Sequence, residues 1–95
     1  MNSGVISFSE HGKSRFQERG FTLALCEFVL YHGLMDYVGD DTFKYYINKK
    51  QLKTLLRSNV LSREERVFVR KNYERLIKKV ILIASGFVVR TVYNR

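Results

Sequence analysis

Residues 80–84 read Val-Ile-Leu-Ile-Ala, an unbroken apolar run closed by Ser85-Gly86. The run is too short for a helix with a buried face, and far short of the ~20 apolar residues needed to cross a bilayer. It reads as a strand covered on both faces. Phe87–Tyr93 follows at once as its antiparallel partner. Alternation puts Phe87, Val89, Thr91 and Tyr93 on one face and Val88, Arg90 and Val92 on the other. The pattern leaves open which face is buried.

The rest of the chain supplies the other layer. Val5-Ile6-Ser7-Phe8 reads as a short strand or an extended lead-in. Ser9 is an N-cap, and a helix follows to about Arg19, with Gly20 placed for the left-handed turn that ends helices. Thr22 caps a second helix, Leu23–Tyr31, ended by Gly33. That helix is apolar nearly all round, which implies burial against a sheet. Runs 34–39 and 42–47 flank Gly39-Asp40-Asp41 and predict a hairpin. Asn48 opens a third helix, on which Leu52, Leu55, Leu56 and Val60 recur at one-face spacing. Ser62 with Glu65 is the capping-box pattern and starts a fourth, with Val69, Tyr73, Leu76 and Ile77 in one stripe. The expected fold is α+β: two N-terminal helices and an antiparallel sheet of about four strands, with a basic helical pair inserted between strands 2 and 3. With 95 residues and no proline-rich or low-complexity linker, residues 1–95 form one domain, of which 48–79 is the basic helical insertion.

Composition narrows the function. The net charge is +8, with 17 Lys and Arg against 9 Asp and Glu. It is unevenly placed. Residues 1–43 hold three basic and six acidic residues, whereas 44–95 hold fourteen and three. Such asymmetry is the footprint of a polyanion partner, and RNA is the expected one. Lys49, Lys50, Lys53, Arg57, Arg63, Arg66, Arg70, Lys71, Arg75 and Lys78 are the candidate nucleic-acid-binding residues. The alternative is a solvated helix surface. A membrane surface fits less well, because no basic helix carries a strongly apolar outer face with tryptophan anchors. A single cysteine, Cys26, excludes an intramolecular disulfide and a cysteine-based zinc cluster; it reads as a small core residue. No metal or other cofactor is expected. Met1-Asn2-Ser3-Gly4 has no signal-peptide pattern, so the expected location is cytoplasmic.

His11, Arg15 and Arg19 recur every four residues and project from one side of the first helix. An imidazole beside guanidinium groups suits phosphate chemistry: histidine moves a proton near neutral pH, and arginine grips phosphate oxygens in two-pronged fashion. The same spacing also suits a surface helix whose Glu10 and Glu18 pair with the arginines. Arg19 alternatively only ends its helix, and His32 reads as a helix-end residue before Gly33.

The opening Ser9-x-His11-x-x-x-Arg15-x-x-x-Arg19-Gly20-Phe21, the apolar positions Cys26, Val29 and Leu30, and the closing Val88-Val89-Arg90-Thr91-Val92-Tyr93 resemble a family of small bacterial proteins of unassigned function. The resemblance covers residues 7–47 and 80–93 and leaves out 48–79. It implies a fold similar to the barnase, colicin-nuclease and RelE-like ribonucleases, many of which are toxins. It adds Thr91 and Tyr93 to His11, Arg15 and Arg19 as candidate catalytic residues, although β-propensity alone also favours both in a strand. The expected function is a metal-independent endoribonuclease, possibly the toxin of a toxin–antitoxin pair with an acidic antitoxin as partner. The alternatives are a non-catalytic nucleic-acid-binding module and a basic protein-interaction domain.

Overall fold

A computed structural model describes residues 7–86 and 88–95. The elements run β1 (Ser7–Phe8), α1 (Glu10–Glu18), α2 (Leu23–His32), β2 (Leu34–Gly39), β3 (Thr42–Tyr46), α3 (Lys49–Arg57), α4 (Arg63–Lys78), β4 (Lys79–Ala84) and β5 (Val88–Asn94). Val5, Ile6 and the Met1–Gly4 stretch lie outside the described residues, as does Phe87.

The local chemistry that the sequence points to sets the boundaries. Ser9 accepts from the Gly12 N–H, Thr22 from Leu25 and Asn48 from Gln51. Ser62 and Glu65 form the reciprocal capping box. Gly20 has φ +67°. Asp40 and Asp41, at φ 51° and 56°, make the two-residue left-handed turn whose twist suits a hairpin. The Ser85 hydroxyl donates to Asp41 Oδ1 at 2.7 Å and ties this turn to the β4–β5 turn.

The sheet corrects two expectations. It has five strands in the order β1-β5-β4-β3-β2, and it is mixed, because the two-residue β1 runs parallel to β5. The second correction concerns β5. The β4–β5 register shifts between Leu82 and Ile83: Leu82 pairs with Thr91 and Ile83 with Val89, leaving Arg90 as the extra residue of a bulge. The bulge breaks the alternation. Val89 and Val92 share the core-facing side, both fully buried, while Val88, Thr91 and Tyr93 share the other.

One side of the sheet carries the rows Met35–Tyr45–Ile81–Val92 and Tyr37–Phe43–Ile83–Val89–Phe8. Ile81, Ile83, Val89 and Val92 from these rows join Leu25, Cys26, Phe28 and Val29 of α2, Leu52 of α3, and Val69 and Leu76 of α4 in one core. The other side carries Leu34–Tyr46–Val80–Tyr93, Asp36–Lys44–Leu82–Thr91 and Thr42–Ala84–Val88–Ser7. Of these only Val80 and Thr42 are buried, and none joins the cluster that packs against the helices. The apolar run of β4 is therefore covered by helices on one face only. On the other, Val80, 1% exposed, lies between its cross-strand partners Tyr46 and Tyr93.

The basic pair packs by the stripes read from its sequence, with one exception. α3 ends at Arg57, so Val60 falls outside it and is 64% exposed; Leu61 takes the core position instead. Inside α4, Asn72 leaves the helical region, and its side-chain amide donates to the Phe68 carbonyl at 2.9 Å, a local insertion of the kind that bends helices.

Candidate nucleic-acid interface and the opening helix

α1 is seated on β5 by its smallest residue. Gly12 lies so close that an added Cβ would stand 2.2 Å from the Val89 carbonyl oxygen. The Ser9 hydroxyl reaches the Val89 and Arg90 carbonyls at 3.2 and 3.3 Å, at the bulge. Phe16 meets Phe8 and Phe21, with ring centroids 5.0 and 5.9 Å apart. This seat joins the opening and closing motifs of the sequence in space.

The side chains of the proposed constellation are less closely joined. His11 and Arg19 are exposed. Arg15 Nη1 pairs with Glu18 Oε2 at 3.1 Å, the pairing that the surface-helix alternative expects. α1 meets the core side of the sheet through Phe16 and Phe8, whereas Thr91 and Tyr93 stand half-buried on the opposite side. Among the described residues no hydrogen bond joins His11, Arg15 or Arg19 to either of them.

The basic residues of α3 and α4 divide into two groups. Lys49, Lys50, Lys53, Arg57, Arg63, Arg70, Lys71 and Lys78 are exposed, and no ion pair among the described residues involves them. Arg66 is half-buried and donates to the Leu56 and Ser58 carbonyls, closing the end of α3. Arg75 is exposed but reaches the Gly20 carbonyl at 3.1 Å. These two hold the fold as well as adding charge. Lys79 belongs wholly to the fold. It is 5% exposed, donates to Arg19 O at 3.0 Å and Asn94 Oδ1 at 2.8 Å, and lies over the Phe21 ring. Burial, and then the nearby Arg75 and Lys78, pull its pKa below the ordinary lysine value.

The uncovered sheet face adds residues that the sequence reading passed over. Lys44 Nζ lies 5.0 Å from the Tyr46 ring centroid and the Arg95 guanidinium 5.3 Å from it. Arg95 also donates to the Ile47 and Ile77 carbonyls at 2.7 and 2.6 Å, which fixes the last residue of the chain. The Tyr46 hydroxyl donates to Asp36 Oδ2 at 3.0 Å, and this bond is the main reason its pKa lies above the ordinary tyrosine value. The period-2 signal in Phe43-Lys44-Tyr45-Tyr46 was enough to put Lys44 and Tyr46 on one face. Its direction toward solvent was not readable.

A second feature had no sequence signal. His32 Nε2 and Glu65 Oε2 lie 3.0 Å apart, thirty-three positions apart in the chain. Neither residue is spaced from the other in any helical or strand period.

No family model, curated protein or solved structure matches the chain. Among the described residues, no helix is long and apolar enough to cross a membrane, and no cluster of three or more His, Cys, Asp or Glu side chains forms a metal site.

Proposed function

We propose that the protein binds single-stranded RNA. The observation that carries this reading is the sheet face that no helix covers among the described residues, where Tyr46 and Tyr93 flank Val80 beside Lys44, Thr91 and Arg95, on a chain of net charge +8. Aromatic rings offer stacking surfaces for unpaired bases, and cations follow the phosphate backbone. The exposed lysines and arginines of α3 and α4 extend the positive field, which raises the encounter rate with a polyanion. A duplex hides its bases in the stack and gains less from such a face.

The test is anisotropy of a short labelled RNA, single-stranded and as a duplex, over a salt series. The single strand should bind more tightly. Replacing Lys50, Lys53 and Arg57 with Gln should flatten its log–log salt slope by roughly 0.7 per lost phosphate contact. An unchanged slope with equal affinity for both RNAs overturns the reading.

Endoribonuclease activity is the second reading, favoured by the seating of the His11 helix on the strand of Thr91. RNA carries its own nucleophile, the 2′-hydroxyl. His11 would take its proton, and Arg15 and Arg19 would offset charge at the phosphorus centre. Thr91 and Tyr93, on the opposite side of the sheet from the face that α1 meets, take no part in this reading. For this, Arg15 exchanges its surface pair with Glu18 for the substrate, at small cost for an exposed ion pair. Incubation with RNA in EDTA should give 2′,3′-cyclic phosphate ends, and His11→Ala should slow this by about 10²–10⁴-fold. Full cleavage by His11→Ala, or none by the unaltered protein, removes the catalytic role and leaves the binding one.

A further inference from the structure

The recess beside His32 differs in kind from the rest of the surface. It lies between the end of α2 and the first turns of α4, with a volume of about 450 Å³. Phe28, Tyr31, His32 and Phe68 form its walls. The Phe28 ring stands 4.7 Å from His32 and 5.7 Å from Phe68, and Tyr31 stands 4.8 Å from His32, centroid to centroid. Glu27 and Glu65 complete the lining, and no lysine or arginine contributes to it. On a protein of net charge +8, this recess is acidic and aromatic at once.

The two carboxylates are not equivalent. Glu65 is already committed. One oxygen accepts the Ser62 N–H at 3.0 Å and the other meets His32 Nε2 at 3.0 Å. The Ser62 bond, then the His32 bond, hold its carboxyl below the ordinary carboxylate range. Ionised, it only accepts, so His32 Nε2–H donates and its ring, with a side chain 7% exposed, is locked as a wall. Glu27 is half-buried and has no hydrogen-bond partner among the described residues.

We infer that this recess binds an organic cation, a guanidinium or alkylammonium group, seated against the Tyr31, Phe28 and Phe68 rings with its charge on Glu27. Ring faces attract a cation electrostatically, and the attraction grows as water is excluded. A guanidinium also presents paired N–H donors to a carboxylate. A neutral apolar occupant would desolvate Glu27 with nothing to offset its charge. A phosphate-bearing occupant would bring like charge to two carboxylates. The inference is independent of the RNA reading, since it uses none of the residues assigned to RNA.

The test is an amide-shift titration of the full chain with agmatine, N-acetyl-arginine amide and, as the neutral control, N-acetyl-citrulline amide. Shifts should concentrate at residues 24–32 and 65–68 with the two guanidines only. Glu27→Gln should weaken agmatine about tenfold, the worth of one charge-assisted bond. Tyr31→Ala, at a residue 68% exposed and so safe for folding, should weaken it about fivefold. Comparable binding of agmatine and the arginine amide marks the guanidinium of a small molecule as a sufficient ligand, whereas binding of the amide alone marks a protein arginine. Equal binding of the citrulline amide, unchanged affinity in Glu27→Gln, or no shifts at all overturns the inference.

Discussion

Gly12→Ala is the most informative single change in this protein. In a helix interior, glycine to alanine ordinarily stabilises by about 1 kcal/mol, because glycine loses more backbone freedom on folding. Here the new methyl would stand 2.2 Å from Val89 O, 3.0 Å from Val89 C and 3.1 Å from Arg90 O. All three obstacles are backbone atoms of β5, two of them on Val89, which pairs with Ile83, so no side chain can swing aside. α1 must lift by about 1 Å to restore ordinary contact. A gap of that size forfeits about a quarter to a half of the dispersion energy of the contacts it opens. It also stretches the bond that the Ser9 hydroxyl shares between Val89 O and Arg90 O, worth about 1 kcal/mol. Overpacking of about 1–3 kcal/mol plus one weakened bond of about 1 kcal/mol, less the propensity gain of about 1 kcal/mol, gives a net loss of about 1–3 kcal/mol. For a domain of this size that lowers Tm by roughly 4–24 °C. Circular dichroism melts of Gly12→Ala and of Gln17→Ala, an exposed position on the same helix, make the comparison; the second should shift stability by no more than about 0.5 kcal/mol. Hydrogen exchange at the Ser9 amide, which donates to Val89 O at 3.1 Å, should accelerate in Gly12→Ala alone. A Gly12→Ala protein as stable as the parent would refute the seating of α1 on β5, and with it the link between the His11 helix and the closing strand.

Cys26 and Glu65 give two further tests. Burial, and secondarily the Glu27 charge, push the Cys26 thiol up to about 12, so it should resist iodoacetamide at pH 8 in the folded protein and react once denaturant is added; fast native alkylation would contradict its place in the core. Glu65, held below its ordinary value of 4.5 by Ser62 and then His32, contributes stability above its unfolded pKa that is lost as pH falls through its folded pKa. The stability gap between the parent and Glu65→Gln in urea melts should therefore be larger at pH 6 than at pH 3, and a gap independent of pH would count against the pairing.

Much of the fold was legible because its signals are local. The caps at Ser9, Thr22, Asn48 and Ser62 act within three residues, and each sets a helix start where the sequence placed it. The stripe Val69, Tyr73, Leu76, Ile77 needs only the helical period. What escaped was set by pairing across the chain. Val89-Arg90-Thr91 alternates cleanly on paper, and only the register against Ile83 and Leu82 reveals the bulge that turns Thr91 away from Val89. Val5–Phe8 reads as a short strand or a lead-in, but the parallel pairing of Ser7 and Phe8 with Val88 and Val89 has no signature in so short a run. The candidate site divides in the same way. The spacing of His11, Arg15 and Arg19 and the run of cations on α3 and α4 are one-dimensional features. The carbonyl contacts of Arg66 and the meeting of His32 with Glu65 arise from tertiary packing, which no spacing encodes.

The pairing of the first strand with the last also sets an order of events during synthesis. Ser9 finds its partners eighty positions later, at Val89 and Arg90. At about 5–20 residues per second, the ribosome takes roughly 4–16 s to make the platform on which the opening helix rests. Over that interval α2 and the β2–β3 hairpin already have near neighbours in the chain, whereas α1 has only β1 and lacks the strand on which Gly12 rests. The motif helix thus takes its seat only after β5 has been made, well after its own residues. Loss of β5 would leave it without that seat, and any activity that depends on the seated helix begins only once β5 has been made.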